Sequence, residues 1–179
     1  MQHIKVASDE EVWSLLRKEL PKSNCLKTQT AAAIVKEMEI RSIGTNSCAP
    51  EGHKYGDKLE FCPRMSITTG EHYELCSPVH AEVMACLNIR EGRTSNEIGK
   101  YASHLNPPKE LIMSAFTPQE KEQLNGSYLY LLGHYWVCNN CKFFLGVVGI
   151  PESHIKLNKI SADAVKNKYQ INGVFAEKH

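Results

Sequence analysis

The chain has no run of apolar residues approaching the twenty or so needed to cross a bilayer, which excludes a membrane-spanning helix. It also lacks an excess of either charge: 21 Lys and Arg against 20 Asp and Glu leave a net charge of +1, with no long block of one sign. That balance provides no electrostatic footprint for a nucleic-acid duplex or an anionic lipid surface, so a small ligand is the better expectation. The opening Met1-Gln2-His3-Ile4-Lys5-Val6 runs directly into Asp9-Glu10-Glu11 and has no apolar signal core, which sets a cytoplasmic location as the expectation. Internal repeats and low-complexity stretches are absent too. With 179 residues there is room for one substantial core and not comfortably for two, so 1–179 reads as a single domain.

Cysteine, by contrast, is present in number. Seven cysteines, an odd count without an export signal, point to metal ligands or buried thiols rather than disulfides.

Periodicity and punctuation lay out the elements. Ser8 and Glu11 have capping-box spacing, and Val12, Leu15, Leu16 and Leu20 follow at helical intervals, predicting a helix over 9–19. Strands over 30–35 and 40–44 flank a polar turn at 36–39 and read as a hairpin. Residues 45–77, rich in Gly, Pro, Cys and His, read as a long loop that needs a pin. Ser77-Pro78 then opens a helix over 79–90, with His80 and Glu82 in its first turn. Residues 91–126, mostly polar and broken by Pro107-Pro108 and Asn125-Gly126, read as an insertion carrying a short helix from Pro108 to Phe116. Tyr128–Val137 suits a strand buried on both faces, leading straight into a helix over Cys138–Val148. His154–Leu157 is a further short strand, and one more helix is expected past Ser161. Strands alternating with helices after a hairpin give a layered α/β or α+β domain with one central sheet.

Two segments carry chemistry, Val79-His80-Ala81-Glu82 and Val137-Cys138-Asn139-Asn140-Cys141. Cysteines three apart at a helix start can aim both sulfurs at one point, where the helix dipole favours the thiolates that zinc needs. His80 makes a third ligand, and a zinc with three protein ligands keeps a fourth position for water. Either half alone is weakly specific: a C-x-x-C also fits half of a structural zinc site or a redox pair, and most H-x-E histidines lie on surfaces or in cores. Together they match the H-x-E and C-x-x-C signature of zinc-dependent deaminases, in which the glutamate moves protons and is not a ligand.

The likeness extends to the deoxycytidylate (dCMP) deaminase branch of the cytidine deaminase superfamily. Ser23-Asn24-Cys25-Leu26-Lys27 through Val35 resembles that branch's S-x-C-x-R-x-x-V-G-A-x-I-V opening. Arg41-Ser42-Ile43-Gly44-Thr45-Asn46 is similar to its I-x-S-x-G-Y-N, and Lys142 to Ile150 to its helix ending in A-G-I. Val137, Met84, Thr45 and Lys27 depart from the branch's usual proline, asparagine, tyrosine and arginine, and none of these removes a metal ligand.

The resemblance implies a cytidine-deaminase-like three-layer α/β/α sandwich with a central mixed five-stranded sheet. It implies zinc on His80, Cys138 and Cys141, Glu82 as the proton shuttle, substrate contacts from Asn46 and Ala81, and a homo-oligomer. The reaction it implies is dCMP to dUMP with release of ammonia. Another nucleoside, base or modified nucleotide is the alternative substrate, and a catalytically silent zinc-stabilised binding protein is the alternative class. The branch often carries a second, structural zinc, for which Cys48, His53, Cys62 and Cys76 are candidates, with Cys25 as another. Cys86 reads as a buried thiol. Trp136 and Tyr135 divide evenly between base stacking and core, His134 reads as structural, and Arg64 and Lys27 are candidates to meet a phosphate.

Overall fold

The computed structural model describes residues 3–68, 70–160 and 163–164. Its five strands are β1 (Ile4–Lys5), β2 (Ala31–Lys36), β3 (Glu39–Thr45), β4 (Tyr128–Leu132) and β5 (Ile155–Leu157). They form one sheet in the order β1-β3-β2-β4-β5, antiparallel except for the parallel β4–β5 pair. The β2–β3 hairpin turns on Glu37 and Met38, both at positive φ (53° and 56°), the two-residue geometry whose twist matches that of its strands. The helices are α1 (Asp9–Glu19), α2 (Ala81–Leu87), α3 (Ser95–Gly99), α4 (Lys109–Ser114), α5 (Pro118–Leu124) and α6 (Asn139–Val147).

β2 is buried on both faces, and its alternation divides the core in two. Ala31, Ala33 and Val35 pack with Val12, Trp13 and Leu16 of α1. Ala32 and Ile34 pack with Val83 and Leu87 of α2 and with Phe144 and Leu145 of α6. Helices therefore cover both faces of a mixed five-stranded sheet, the three-layer α/β/α arrangement expected.

α1 begins as anticipated: Ser8 Oγ accepts from Glu11 N (3.4 Å), while Glu11 Oε2 accepts from Ala7 N (2.8 Å). Asp9 also ties the helix to two strands. Its carboxylate accepts from Tyr130 Oη (2.6 Å) and from Lys156 Nζ (2.8 Å).

α2 sits unusually close to the sheet because Gly44 has no side chain. A Cβ there would overlap Ala85 N and lie 2.5 Å from Met84 C. The same contact is stitched by Ser42 Oγ donating to Ala85 O (2.6 Å) and Asn88 Nδ2 donating to Ile43 O (2.8 Å).

Three boundaries differ from the sequence expectation. The helix expected over 79–90 starts at Ala81, because Val79 is held extended by a two-way bridge to Ser47 (2.9 and 3.0 Å), leaving His80 as the cap. The strand expected over 128–137 stops at Leu132. Gly133 turns at φ 88° against the Gln29 backbone, so residues 134–138 cross to α6 as a separate segment. Segment 91–126 holds three helices rather than one, and α3 and α5 each open on a complete capping box, Thr94/Glu97 and Thr117/Glu120. Its Ile98, Tyr101, Ile112, Phe116 and Leu124 enter the same core as α2 and α6. The helix expected past Ser161 falls almost entirely outside the described residues. Among the described residues no helix is long and apolar enough to cross a membrane.

Gly44→Ala should cost about 3 kcal/mol in urea denaturation, since two backbones would have to separate to admit one methyl group. A loss under about 0.5 kcal/mol would contradict this seating of α2. The Asp9 carboxyl is held below its usual value by hydrogen bonds from Lys156 and Tyr130. It therefore stabilises the fold above the ordinary carboxylate range, and the contribution disappears as pH falls through its depressed folded value. Asp9→Asn should lower stability by about 0.5–1 kcal/mol at neutral pH, with the gap from wild type closing in a Tm series as pH falls through that depressed value.

Candidate metal centre

Two helix caps meet at the site. His80 caps α2 and Cys138 caps α6, and the Cys138 sulfur accepts from Cys141 N (3.4 Å), which fixes the turn carrying both thiols. His80 Nδ1 lies 3.4 Å from Cys138 Sγ and 3.3 Å from Cys141 Sγ. Among the described residues this is the one group of three His, Cys, Asp or Glu donors whose ligand atoms all lie within 4.8 Å of one another. Usual Zn–N and Zn–S bond lengths at a tetrahedral angle place N and S about 3.5 Å apart, so the residues fit a zinc ion with shifts of only tenths of an ångström. One imidazole and two thiols leave a fourth position for a small oxygen ligand.

The acidic groups around that point share too little positive charge. The Cys138 thiol is pulled down to about 4 by hydrogen bonds with Cys141 and His80. Cys141, which holds its proton against Cys138 in a fully dry setting, is pushed well up. Burial opposes charging of the His80 ring, yet the hydrogen bond and charge of Cys138 with the nearby Glu82 outweigh it and raise the imidazole. Glu82 is 5% exposed, and burial raises its carboxyl above the usual range. That carboxyl is hydrogen-bonded to the Cys141 thiol.

The group opens into a cavity of about 410 Å3. Its walls come from distant parts of the chain: Lys27, Thr28 and Thr30 before β2, Asn46 and Cys48 after β3, Arg64 and Tyr73 from the long loop, and Ser103 from segment 91–126. His134 and Trp136, on the segment that Gly133 sends across, also line it. His134 stacks on Tyr135 (5.1 Å between ring centres), and burial takes its imidazole down to about 4, so the ring is neutral at neutral pH.

Asn46 lines this cavity while holding its own loop. Its Oδ1 accepts from Ser23 Oγ (2.7 Å) and Thr30 N (2.8 Å), and its Nδ2 donates to Thr28 O (2.7 Å). Ala81, the first residue of α2, is fully buried in the core. Lys27 Nζ donates to Arg64 O (3.0 Å) and to Ile67 O. Arg64 Nε donates to Glu71 O (2.8 Å) while its guanidinium covers the Tyr73 ring at 4.1 Å.

Of the other cysteines, Cys25, Cys48 and Cys76 gather around Leu59. The Cys48 thiol is hydrogen-bonded to both neighbours, which lowers Cys25 to about 6 and Cys76 to about 7 while Cys48 rises. Arg64 Nη1 approaches Cys76 Sγ at 3.7 Å. Cys62 is half-buried outside that cluster, and His53 instead meets Phe61 edge-on at 6.1 Å. Cys86 is buried within α2, as expected, and burial pushes its thiol up. Sequence reasoning missed Ser103 and Tyr73, the latter edge-on to the His80 ring at 5.7 Å. Neither lies in a motif that would have marked it.

No family model matches the chain, and no curated protein matches it. Among solved structures, the crystal structure of dCMP deaminase from the cyanophage S-TIM5 in complex with dCMP and dUMP is similar. The identity is 18%, over 92% of this chain and 93% of that one, with a TM-score of 0.45.

If the triad is a zinc site, His80→Ala and Cys141→Ser should each remove one zinc per chain, measured by elemental analysis of the purified protein. Cys86→Ser should remove none. Retention of full zinc in both triad variants would contradict the assignment.

Proposed function

We propose that this chain is a zinc-dependent hydrolytic deaminase acting on an amino-bearing nucleobase of a nucleotide, with dCMP to dUMP and ammonia as its reaction. One observation carries the reading: buried Glu82 stands against a three-donor His80–Cys138–Cys141 group at the wall of a ligand-sized cavity. A purely structural zinc site would use a fourth protein ligand and would have no need of that carboxyl.

Zinc, when bound, supplies Lewis acidity that makes water nucleophilic near neutral pH. Glu82 takes the proton released as the water oxygen bonds to C4 of the base and delivers it to N3. It then carries the remaining oxygen-borne proton to the amino group, the C4–N bond breaks, and ammonia leaves. A carboxyl raised by burial can hold the proton between these transfers. Asn46 and the Ala81 backbone are the proposed substrate contacts, and Trp136 and His134 offer flat faces to the base.

Lys27 and Arg64 support a phosphate-bearing substrate, because both line the cavity as cations, Lys27 held on backbone carbonyls and Arg64 shared between Glu71 O and the Cys76 sulfur. A second reading, a nucleoside or free base, draws on the same bonds: donors already engaged are less available to a phosphate. Cys25, Cys48 and Cys76, with Cys62 and His53 on the long loop, are the proposed holders of a second, structural zinc that would pin that loop. A homo-oligomer covering exposed Leu105 and Phe143, and a cytoplasmic location, belong to the same proposal.

Zinc-loaded protein incubated with dCMP, CMP, dCTP, cytidine, deoxycytidine, adenine and guanine compounds should release ammonia from at least one cytosine nucleotide. Glu82→Gln should reduce the rate by about 100-fold or more while retaining the triad's zinc. Turnover of deoxycytidine alone would select the second reading, and turnover surviving Glu82→Gln would overturn the mechanism. The same preparations should carry close to two zincs per chain, one of them lost on Cys48→Ser.

A further inference from the structure

Packing fixes the bodies of α2 and α6, but the metal donors sit at or just inside the helix caps, ahead of most of that packing. One short piece of segment 91–126 spans the two caps. Ser103 donates to Pro78 O through both its backbone N (2.8 Å) and its Oγ (3.0 Å), two residues before His80. Asn140, between Cys138 and Cys141, donates through Nδ2 to Ser103 O (2.9 Å) and to Asn106 Oδ1 (2.5 Å). The carbonyl of Pro78 and the amide of Asn140 are thus joined through a single residue.

The piece is itself anchored. Tyr101 and Ala102 are buried in the core, and the Tyr101 ring meets Phe144 of α6 edge-on at 5.9 Å. Beyond Ser103, Asn106 adopts a left-handed backbone (φ 46°), a conformation asparagine tolerates well, and Pro107-Pro108 follow to stiffen the exit. The Asn106 side chain is held where Asn140 can reach it.

We infer that Ser103 and Asn140 form a clamp that holds the two halves of the metal site in register, with Asn140 the positioning residue on the cysteine side. The inference rests on the metal-site reading above and gives segment 91–126 a task there. The bonds touch no ligand atom. They act by limiting how far the extended 78–80 segment and the 138–141 turn can separate, which is the displacement through which a three-donor site releases its ion. Ser103 also lines the cavity, so the clamp fixes one of its walls.

The test uses the full chain loaded with zinc and follows transfer of zinc to excess chromogenic chelator, read on the release phase that Cys141→Ser abolishes. Asn140→Ala should release that zinc about 10-fold faster, in the range for lost partners outside the ligand set. The unfolding midpoint of its metal-free form should stay at the wild-type value. Asn106→Gly, which keeps the left-handed backbone and deletes the acceptor, should shift release in the same direction by less, and it carries the test if Asn140→Ala does not fold.

Arg90→Ala is the control. It cuts the Arg90–Glu120 pair (2.7 Å) that fastens the same segment elsewhere, and it should lower metal-free stability without changing release. Release from Asn140→Ala within about twofold of wild type, or faster only in step with Arg90→Ala, overturns the clamp and leaves the deaminase reading intact. A wild-type chain that takes up no zinc at the triad overturns both.

Discussion

Everything at the site depends on one meeting of atoms: His80 Nδ1 with two sulfurs contributed 58 and 61 residues further along the chain. The donors are short side chains at the starts of two helices, so their separation is set by backbone placement. Gly44 lets α2 approach β3 to backbone contact, the Ser47–Val79 bridge holds the strand before His80 extended, and Gly133 ends β4 so that the chain can turn toward Cys138. Each of these is a constraint on main chain, and each is met by a residue chosen for what its backbone can do.

The electrostatics of the same point argue for a cation. Three acidic groups, Cys138, Cys141 and Glu82, share one imidazole in a water-poor setting. The protein alone pulls the Cys138 thiol down to about 4, while Cys141 and Glu82 are both shifted toward holding their protons. A divalent ion would favour the second thiolate while leaving the carboxyl free to exchange its proton. Two thiols, an imidazole and a buried carboxyl gathered at one point are hard to account for in a disulfide-exchanging pair. That chemistry would have no use for His80 and Glu82 together.

The sequence was most readable where function is written in short local patterns. H-x-E and C-x-x-C, the hairpin strands and the Ser8–Glu11 cap each depend on residues within a few positions of one another, and all are found. Expectations failed where a distant partner overrode a local signal. Ser77-Pro78 has the form of a helix start, but the bridge to Ser47 keeps the chain extended for two more residues. Tyr128–Val137 looks continuous because Gly133 is a single residue in an aromatic run, and its need to turn arises from contact with Gln29. The capping boxes of α3 and α5 are local signals, but the polar composition of 91–126 masks an apolar underside. Among the loop cysteines, spacing could not show that Cys25, Cys48 and Cys76 converge while His53 turns to Phe61.

The same distinction explains why the metal group is easier to read than the cavity beside it. The three-donor group needs only His80, Cys138 and Cys141, in two short motifs. Recognition needs a cavity, and this one is assembled from the approach to β2, the exit of β3, the long loop, segment 91–126 and the crossing before α6. No one of those segments carries a ligand signature, and their side chains also hold one another. Asn46 braces Ser23, Thr28 and Thr30, and Lys27 braces the backbone at Arg64 and Ile67. Residues with two obligations are constrained by both, so changing the ligand requires changes that the loops can also survive. The shape of this cavity is therefore a property of how the loops brace each other, and it resides in contacts that span the chain.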